Sequence, residues 1–201
     1  MKLSKSFYEQ PTLQLAKELL GKEVIYESEN GQVGGRIVEV EAYKGPEDKA
    51  AHSFGGRRTT RTEIMFGPPG FIYMFLIYGM HNCFNIVSGP EGKPEAILIR
   101  AIEPTIGVET MLQNRFPNVH TFKNSHLKTL TNGPGKLCKA LGITMKQYGW
   151  SLTNSPVMVT EGTDVYESEI SIGPRINIDY AGEHIHLPWR FWITDNAFVS
   201  K

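Results

Sequence analysis

FIYMFLIYGMHNCFNIVS, residues 71–88, decides the architecture. Two apolar runs, 71–77 and 83–88, are long enough for strands and are joined through Tyr78-Gly79-Met80-His81, a connection short enough for a hairpin. Hairpins make antiparallel sheets. Other segments fit the same plan. EVIYES (23–28) alternates like a strand, and the Asn30-Gly31 that follows is a hairpin signal. GGRIVEVEAY (34–43) alternates again, with Val38, Val40 and Ala42 on one face and Ile37, Glu39, Glu41 and Tyr43 on the other. EAILIRAI, PVMVTEG, EISIGPRINI and LPWRFWI are also strand-like.

Helices are fewer. PTLQLAKELLGK starts with Pro11, suited to a first turn, and ends at Gly21, suited to a stop. TIGVETMLQNRF has helical spacing, and NGPGKLCKALGI reads as a turn into a short helix ended by Gly142. Residues 44–70 form a long loop punctuated by Gly45-Pro46, Gly55-Gly56 and Pro68-Pro69-Gly70, and loops of that length are usually functional. The expected class is α+β: one domain over residues 1–201, a mostly antiparallel curved sheet with surrounding helices and a protruding β-hairpin.

The composition, 40% hydrophobic and 21% charged over 201 residues, suits a soluble globular domain. The N-terminal MKLSKSFYEQ has no apolar signal core, and the longest apolar run is about half of the ~18 residues that suggest a membrane span. Cys83 and Cys138 make no disulfide framework and read as small buried hydrophobes in a reducing cytoplasm.

Net charge is zero, but its distribution is uneven. No Asp or Glu occurs from Thr110 to Thr160, where Arg115, Lys123, Lys128, Lys136, Lys139 and Lys146 lie. FGGRRTTRT adds Arg57, Arg58 and Arg61, again without acids. This suggests one basic face on a neutral body, although two solvated loops would give the same pattern.

Candidate chemistry is concentrated in few places. Glu39 and Glu41 point to the same side of one strand, where a carboxylate is either paired or functional. Glu41, nearer the long loop, is the better general base for activating water. His52 sits in that loop. His184 and His186 could share a strand face but lack the further partners a metal site needs, so no metal is expected. NGPGKLCKALG offers backbone N–H groups at a helix start beside Lys136, as a phosphate site or an ordinary capped helix would. Tyr78 at a hairpin tip fits a wedge inserted between base steps, as used by proteins that distort DNA, unless it folds back onto the domain. No Walker A, GxSxG or GxGxxG pattern is present, which leaves ATP, acyl-transfer and dinucleotide chemistry unsupported.

Taken together, RIVEVEAYKGPEDKAAHSFGGRRTTRTEIMFGPPGFIYMFLIYGMHNCFNIV, AILIRAIEP and LTNGPGKLCKALGI resemble the alkyladenine (3-methyladenine) DNA glycosylase family. The similarity runs from FYEQPTLQLAKELLGK to RFWI. The resemblance implies a single-domain α/β enzyme that flips an alkylated purine from duplex DNA. It implies hydrolysis of the N-glycosidic bond without metal, other cofactor or covalent enzyme–DNA intermediate. Glu41 matches the family's general base. Tyr78 matches its intercalating tyrosine, with Met80 beside it at the DNA. Tyr43, His52 and Phe75 match the walls of the base pocket, Asn85 the asparagine that crowds the amine of normal guanine, and Arg100 the arginine near the attacking water. Phe75 stands where the family carries tyrosine, and His81 replaces a more usual aromatic.

Arg57, Arg58, Arg61 and Lys136 are the candidate phosphate contacts. The implied partner is duplex DNA with alkylated or deaminated purines. No membrane partner is expected, and the protein is expected to be a monomer in a bacterial-type cytoplasm, at the nucleoid through DNA. Two rivals remain open on the residues alone: a hydrolase of small nucleosides or glycosides using Glu39 and Glu41, and a non-catalytic sensor of distorted duplex. The two carboxylates lie too close and too parallel to flank a sugar from opposite sides, which counts against the first.

Overall fold

The computed structural model describes residues 1–200. Eight strands form one antiparallel sheet: β1 (Glu23–Ser28), β2 (Gly31–Tyr43), β3 (Ile72–Ile77), β4 (His81–Ser88), β5 (Glu95–Ile106), β6 (Val157–Thr160), β7 (Ile170–Gly173) and β8 (Arg190–Ile193). The main order is β3-β4-β5-β2-β1-β6, and β8 pairs with both β2 and β7. The class is α+β, as the hairpin reading implies.

Alternation along the strands explains the two faces except at the β2–β5 irregularity, where Ile37 joins its neighbour Val38 in the core instead of lying on the Glu39 face. Val38, Val40, Ala42, Ile72, Met74, Phe84, Ile86, Ile97 and Ile99 are all buried in the main core. That core is closed by α2 (Thr12–Glu18) through Leu15 and Ala16, α3 (Val108–Arg115) through Met111 and Leu112, and α5 (Pro134–Leu141) through Leu137, Cys138 and Leu141. The intervening residues of the same strands carry the polar and aromatic groups of the other face. α5 ends at Gly142, whose φ of 72° is the left-handed conformation that glycine adopts at helix stops.

The local departures have local causes. The β1–β2 hairpin turns on Glu29 and Asn30, with Ser28 paired to Gly31, so the Asn-Gly signal marks the hairpin but not its loop. Pro11 precedes the first turn of α2 rather than lying in it. Of EISIGPRINI only Ile170–Gly173 is strand, and the chain leaves the sheet at Pro174. α1 (Lys5–Tyr8) and α4 (Asn124–Lys128) have four and five residues, too few for periodicity to register. The 44–70 segment contains only two short 3-10 turns, Phe54–Gly56 and Glu63–Phe66. Among the described residues no helix is long and apolar enough to cross a membrane.

Candidate active site and nucleic-acid interface

Strand pairing alone assembles the site. Tyr73 pairs with Asn85, Asn85 with Leu98, and Leu98 with Glu41, so one row of side chains crosses four strands on the face opposite the helices. Beside this row the β2–β5 ladder is irregular. Glu39 pairs with Ala101 and Val40 with Ile99, which leaves Arg100 out of the ladder. Such irregularities re-aim side chains. Here the guanidinium reaches both acids: Arg100 Nε donates to Glu39 Oε1 at 2.9 Å, and Nη1 lies 3.3 Å from Glu41 Oε1.

The two glutamates separate into different roles. Glu39, fully buried, accepts from Arg100, from Arg190 Nε at 2.7 Å, and from the Ser200 N–H and hydroxyl at 2.7 and 2.8 Å. It is a saturated structural hub that ties β5, β8 and the C-terminal segment together. Glu39→Gln leaves Arg190 without a carboxylate and Arg100 with Glu41 alone. Urea unfolding is therefore expected to show a loss of about 3–5 kcal/mol, the cost typical of breaking a buried ion pair on one side.

Glu41, also fully buried, has lighter partners: the Tyr43 hydroxyl donates to Oε2 at 2.8 Å, and the Ile176 N–H donates to Oε1 at 2.8 Å. Burial raises its pKa above the ordinary value, against the opposing pull of Arg100, the Ile176 N–H and the Tyr43 hydroxyl. The Tyr43 hydroxyl is itself held far above its usual range by burial and by Glu41, so it stays a donor.

Against Tyr43, Ile176 and Arg100, the partners of Glu41, lies a cavity of about 450 Å³, within the range of small-ligand sites; Glu41 itself is buried behind these residues and does not line it. Tyr43, His52, Phe75, Asn85, Arg100 and Tyr78, six of the residues singled out in the sequence, line it together with Tyr73, Leu98, Ile176 and Asn177. Asn85 commits its NH2 to the Tyr73 and Cys83 carbonyls at 3.1 and 3.2 Å, which leaves its oxygen free as an acceptor. His52 Nδ1 is 2.7 Å from the Tyr73 hydroxyl, and its ring stands perpendicular to that of Phe75 with centroids 4.6 Å apart. The hydroxyl that Phe75 lacks is thus supplied beside His52 by Tyr73.

The hairpin tip is open. Tyr78 is 84% exposed and does not fold back onto the domain. Met80 is exposed as well and lines a second groove with His81, Arg115, Lys136 and Lys139 at the start of α5. Ile77 and Pro134 border both hollows, so this basic groove abuts the cavity. On the other flank, Arg57 and Arg61 line a groove that shares His52 with the cavity. Lys136 Nζ donates to Asn132 Oδ1 at 2.8 Å. Arg58 departs from the acid-free reading of its segment. It forms a two-pronged ion pair with Glu63, just beyond the quoted stretch, at 2.9 and 2.6 Å.

Several supporting residues escape sequence reasoning. Asp48 and Arg175, both fully buried, form a two-pronged ion pair, with Arg175 Nη2 donating to Asp48 Oδ1 at 2.9 Å. The Arg175 guanidinium also packs 4.8 Å from the Tyr43 ring centroid and 5.0 Å from that of Trp189. It thereby fixes the segment whose Ile176 N–H reaches Glu41. A lone arginine inside the apolar stretch IGPRINI was the available signal. His184 Nδ1 accepts the Lys49 N–H at 3.1 Å and lies 3.6 Å from Asp48.

Comparisons with known proteins identify the family. Residues 6–197 match the family model described as methylpurine-DNA glycosylase. The chain is 52% identical to a protein of Bacillus cytotoxicus, with both chains covered completely. It is 51% identical, again over the whole of both chains, to proteins of Bacillus cereus and Bacillus thuringiensis. All three bear the name "Putative 3-methyladenine DNA glycosylase". A family match spanning nearly the whole chain settles the class of enzyme as a DNA-repair hydrolase acting on N-glycosidic bonds: the chain belongs to the methylpurine-DNA glycosylase family.

Proposed function

We propose that the whole chain acts as one monomeric glycosylase domain that flips alkylated purines such as 3-methyladenine out of duplex DNA and leaves an abasic site. The observation that carries this reading is the aromatic-walled cavity lined by Arg100, with the exposed Tyr78 at its edge and Glu41 buried directly behind the lining residues Tyr43, Ile176 and Arg100. Arg57, Arg58 and Lys136 take phosphates on either side of the cavity, with Met80 against the duplex. Tyr78 enters the minor groove and fills the space of the extruded nucleotide, which offsets part of the few kcal/mol of lost stacking.

The base enters between Tyr43 and Phe75, beside His52, and Asn85 rejects a normal guanine by steric clash with its exocyclic amine. Glycosidic cleavage passes through an oxocarbenium-like state. Glu41 takes a proton from the attacking water and its charge favours the cationic sugar, while Arg100 orients that water. The commitment of Glu39 to Arg100, Arg190 and Ser200 leaves no second free carboxylate on this strand, which disfavours a nucleoside hydrolase using both acids. Alkylated and deaminated purines of the cell's own DNA, in the cytoplasm and at the nucleoid, are the proposed substrates.

The test is incubation with methylated duplex DNA in the presence of a chelator, followed by chromatography of released bases. Free methylpurine is the expected product. Damage-dependent binding without any release would instead indicate a sensor of distorted duplex.

A further inference from the structure

Arg61 belongs to the cluster whose charge pattern suggested phosphate contacts, but its guanidinium is turned inward. Nη2 lies 2.9 Å from His52 Nε2 and 3.2 Å from Nδ1. Its central carbon stands 5.1 Å over the Phe75 ring. Arg61 lines the groove outside the His52–Phe75 wall, whereas His52 and Phe75 line the base cavity. The arginine therefore backs that wall from behind. Arg58, by contrast, is held by Glu63 over Phe66, and contributes nothing to the wall.

The donors and acceptors around His52 agree with a neutral ring. Arginine has donors only. Nη2 lies within 3.2 Å of both ring nitrogens, so it singles out neither, but a protonated ring would offer it no acceptor at all. Both ring nitrogens are engaged within the protein. The charged groups facing His52 are Arg61 and Arg57, with the Tyr73 hydroxyl as its neutral neighbour. Burial, followed by those two cations, pushes the imidazole down to about 4, which agrees with a neutral ring.

A fixed cation on the outer face of Phe75 also draws on the π-density that its inner face offers to a base. A cationic alkylpurine loses attraction on that side, and a neutral lesion does not. We infer that Arg61 is a specificity-determining residue of the base cavity: by packing its charge against His52, which keeps that ring neutral, and capping the outer face of Phe75, it sets the preference between cationic and neutral purine lesions. This rests on the glycosylase reading above.

The experiment compares wild type, Arg61→Met and Arg61→Lys. It measures kcat/KM on one duplex carrying either 7-methylguanine, which is cationic, or hypoxanthine, which is neutral. It also follows the His52 titration by NMR in DNA-free protein. For Arg61→Met the cationic-to-neutral ratio should rise about 3–10-fold, the size expected of one charge roughly 7 Å away in a solvent-rich setting. The His52 titration should move from about 4 towards the ordinary 6.5. Arg61→Lys keeps the charge and should hold the ratio within about twofold of wild type. Equal losses on both substrates, a salt slope shallower by about one and an unmoved His52 would overturn the inference and make Arg61 a phosphate contact. If wild type released neither base, the glycosylase reading would fail on its own. The His52 titration would still decide the clamp: movement in Arg61→Met supports it, and no movement overturns it.

Discussion

Glu41→Gln is expected to bind damaged duplex DNA with near-wild-type affinity and to release base about 10²–10⁴-fold more slowly, the range for removing a general base. The substitution is close to isosteric. The amide oxygen can still accept the Ile176 N–H, and the Tyr43 hydroxyl can accept from the new NH2. Arg100 keeps its bond to Glu39, so no buried cation is left without a counter-charge. What disappears is the negative charge and the basic lone pair. Single-turnover release of methylpurine, measured beside an affinity titration on the same duplex, separates the two effects. Release at the wild-type rate would remove Glu41 from the role of base.

The pH profile supplies a second readout on the same residue. A base must be ionised to act. Burial raises the pKa of Glu41 above the ordinary 4.5, so the carboxylate fraction, and with it activity, is lost as pH falls through that raised value. The acid limb of kcat should therefore stand at higher pH than a solvent-exposed glutamate would give. Glu41→Gln should lack that limb in its residual rate.

The parts of this site that were legible in the sequence are those that local periodicity governs. Alternation in GGRIVEVEAY is enough to place Glu39, Glu41 and Tyr43 on one face. The hairpin reading of residues 71–88 is enough to pair the strand carrying Tyr73 and Phe75 with the strand carrying Asn85. Periodicity cannot say that Arg100 slips out of its ladder, because that irregularity depends on two strands at once. Nor does it reveal the Asp48–Arg175 pair, whose partners are 127 residues apart, or the Ser200 contacts to Glu39 across 161 residues. Such contacts leave no mark on either neighbourhood. Arg61 shows the complementary failure. Charge patterning counts a guanidinium but carries no information on its direction, and here the direction changes its proposed role from phosphate contact to pocket wall.

Tyr78 carries a prediction in which stability and activity move in opposite directions. The Met80 N–H donates to the Ile77 carbonyl at 3.1 Å, which closes a turn with Tyr78 and Gly79 at its centre. Their φ values are 53° and 70°, the left-handed pair of a type I′ turn. Glycine accepts that conformation readily, whereas tyrosine does so at a cost of about 1–2 kcal/mol. Asparagine is the residue this position favours, and with 84% of Tyr78 exposed there is little packing to lose. Tyr78→Asn is thus expected to be as stable as wild type or more so, by up to about 1 kcal/mol in urea unfolding.

Its excision from duplex DNA should nevertheless fall about 10–100-fold, since stacking of an aromatic ring on a base is worth about 1–3 kcal/mol. On a single-stranded substrate there is no gap to fill, and the defect should shrink to a fewfold. Tyr78→Phe keeps the ring and should keep most of the duplex activity. A Tyr78→Asn protein that lost stability would show that the ring is anchored to its own domain. One equally impaired on single- and double-stranded DNA would show that the residue acts on the base or the chemistry and not as a wedge. A side chain that costs its own turn free energy and gains nothing from the fold is best explained by a partner outside the fold, and the adjoining cavity and basic grooves leave duplex DNA as the partner that fits.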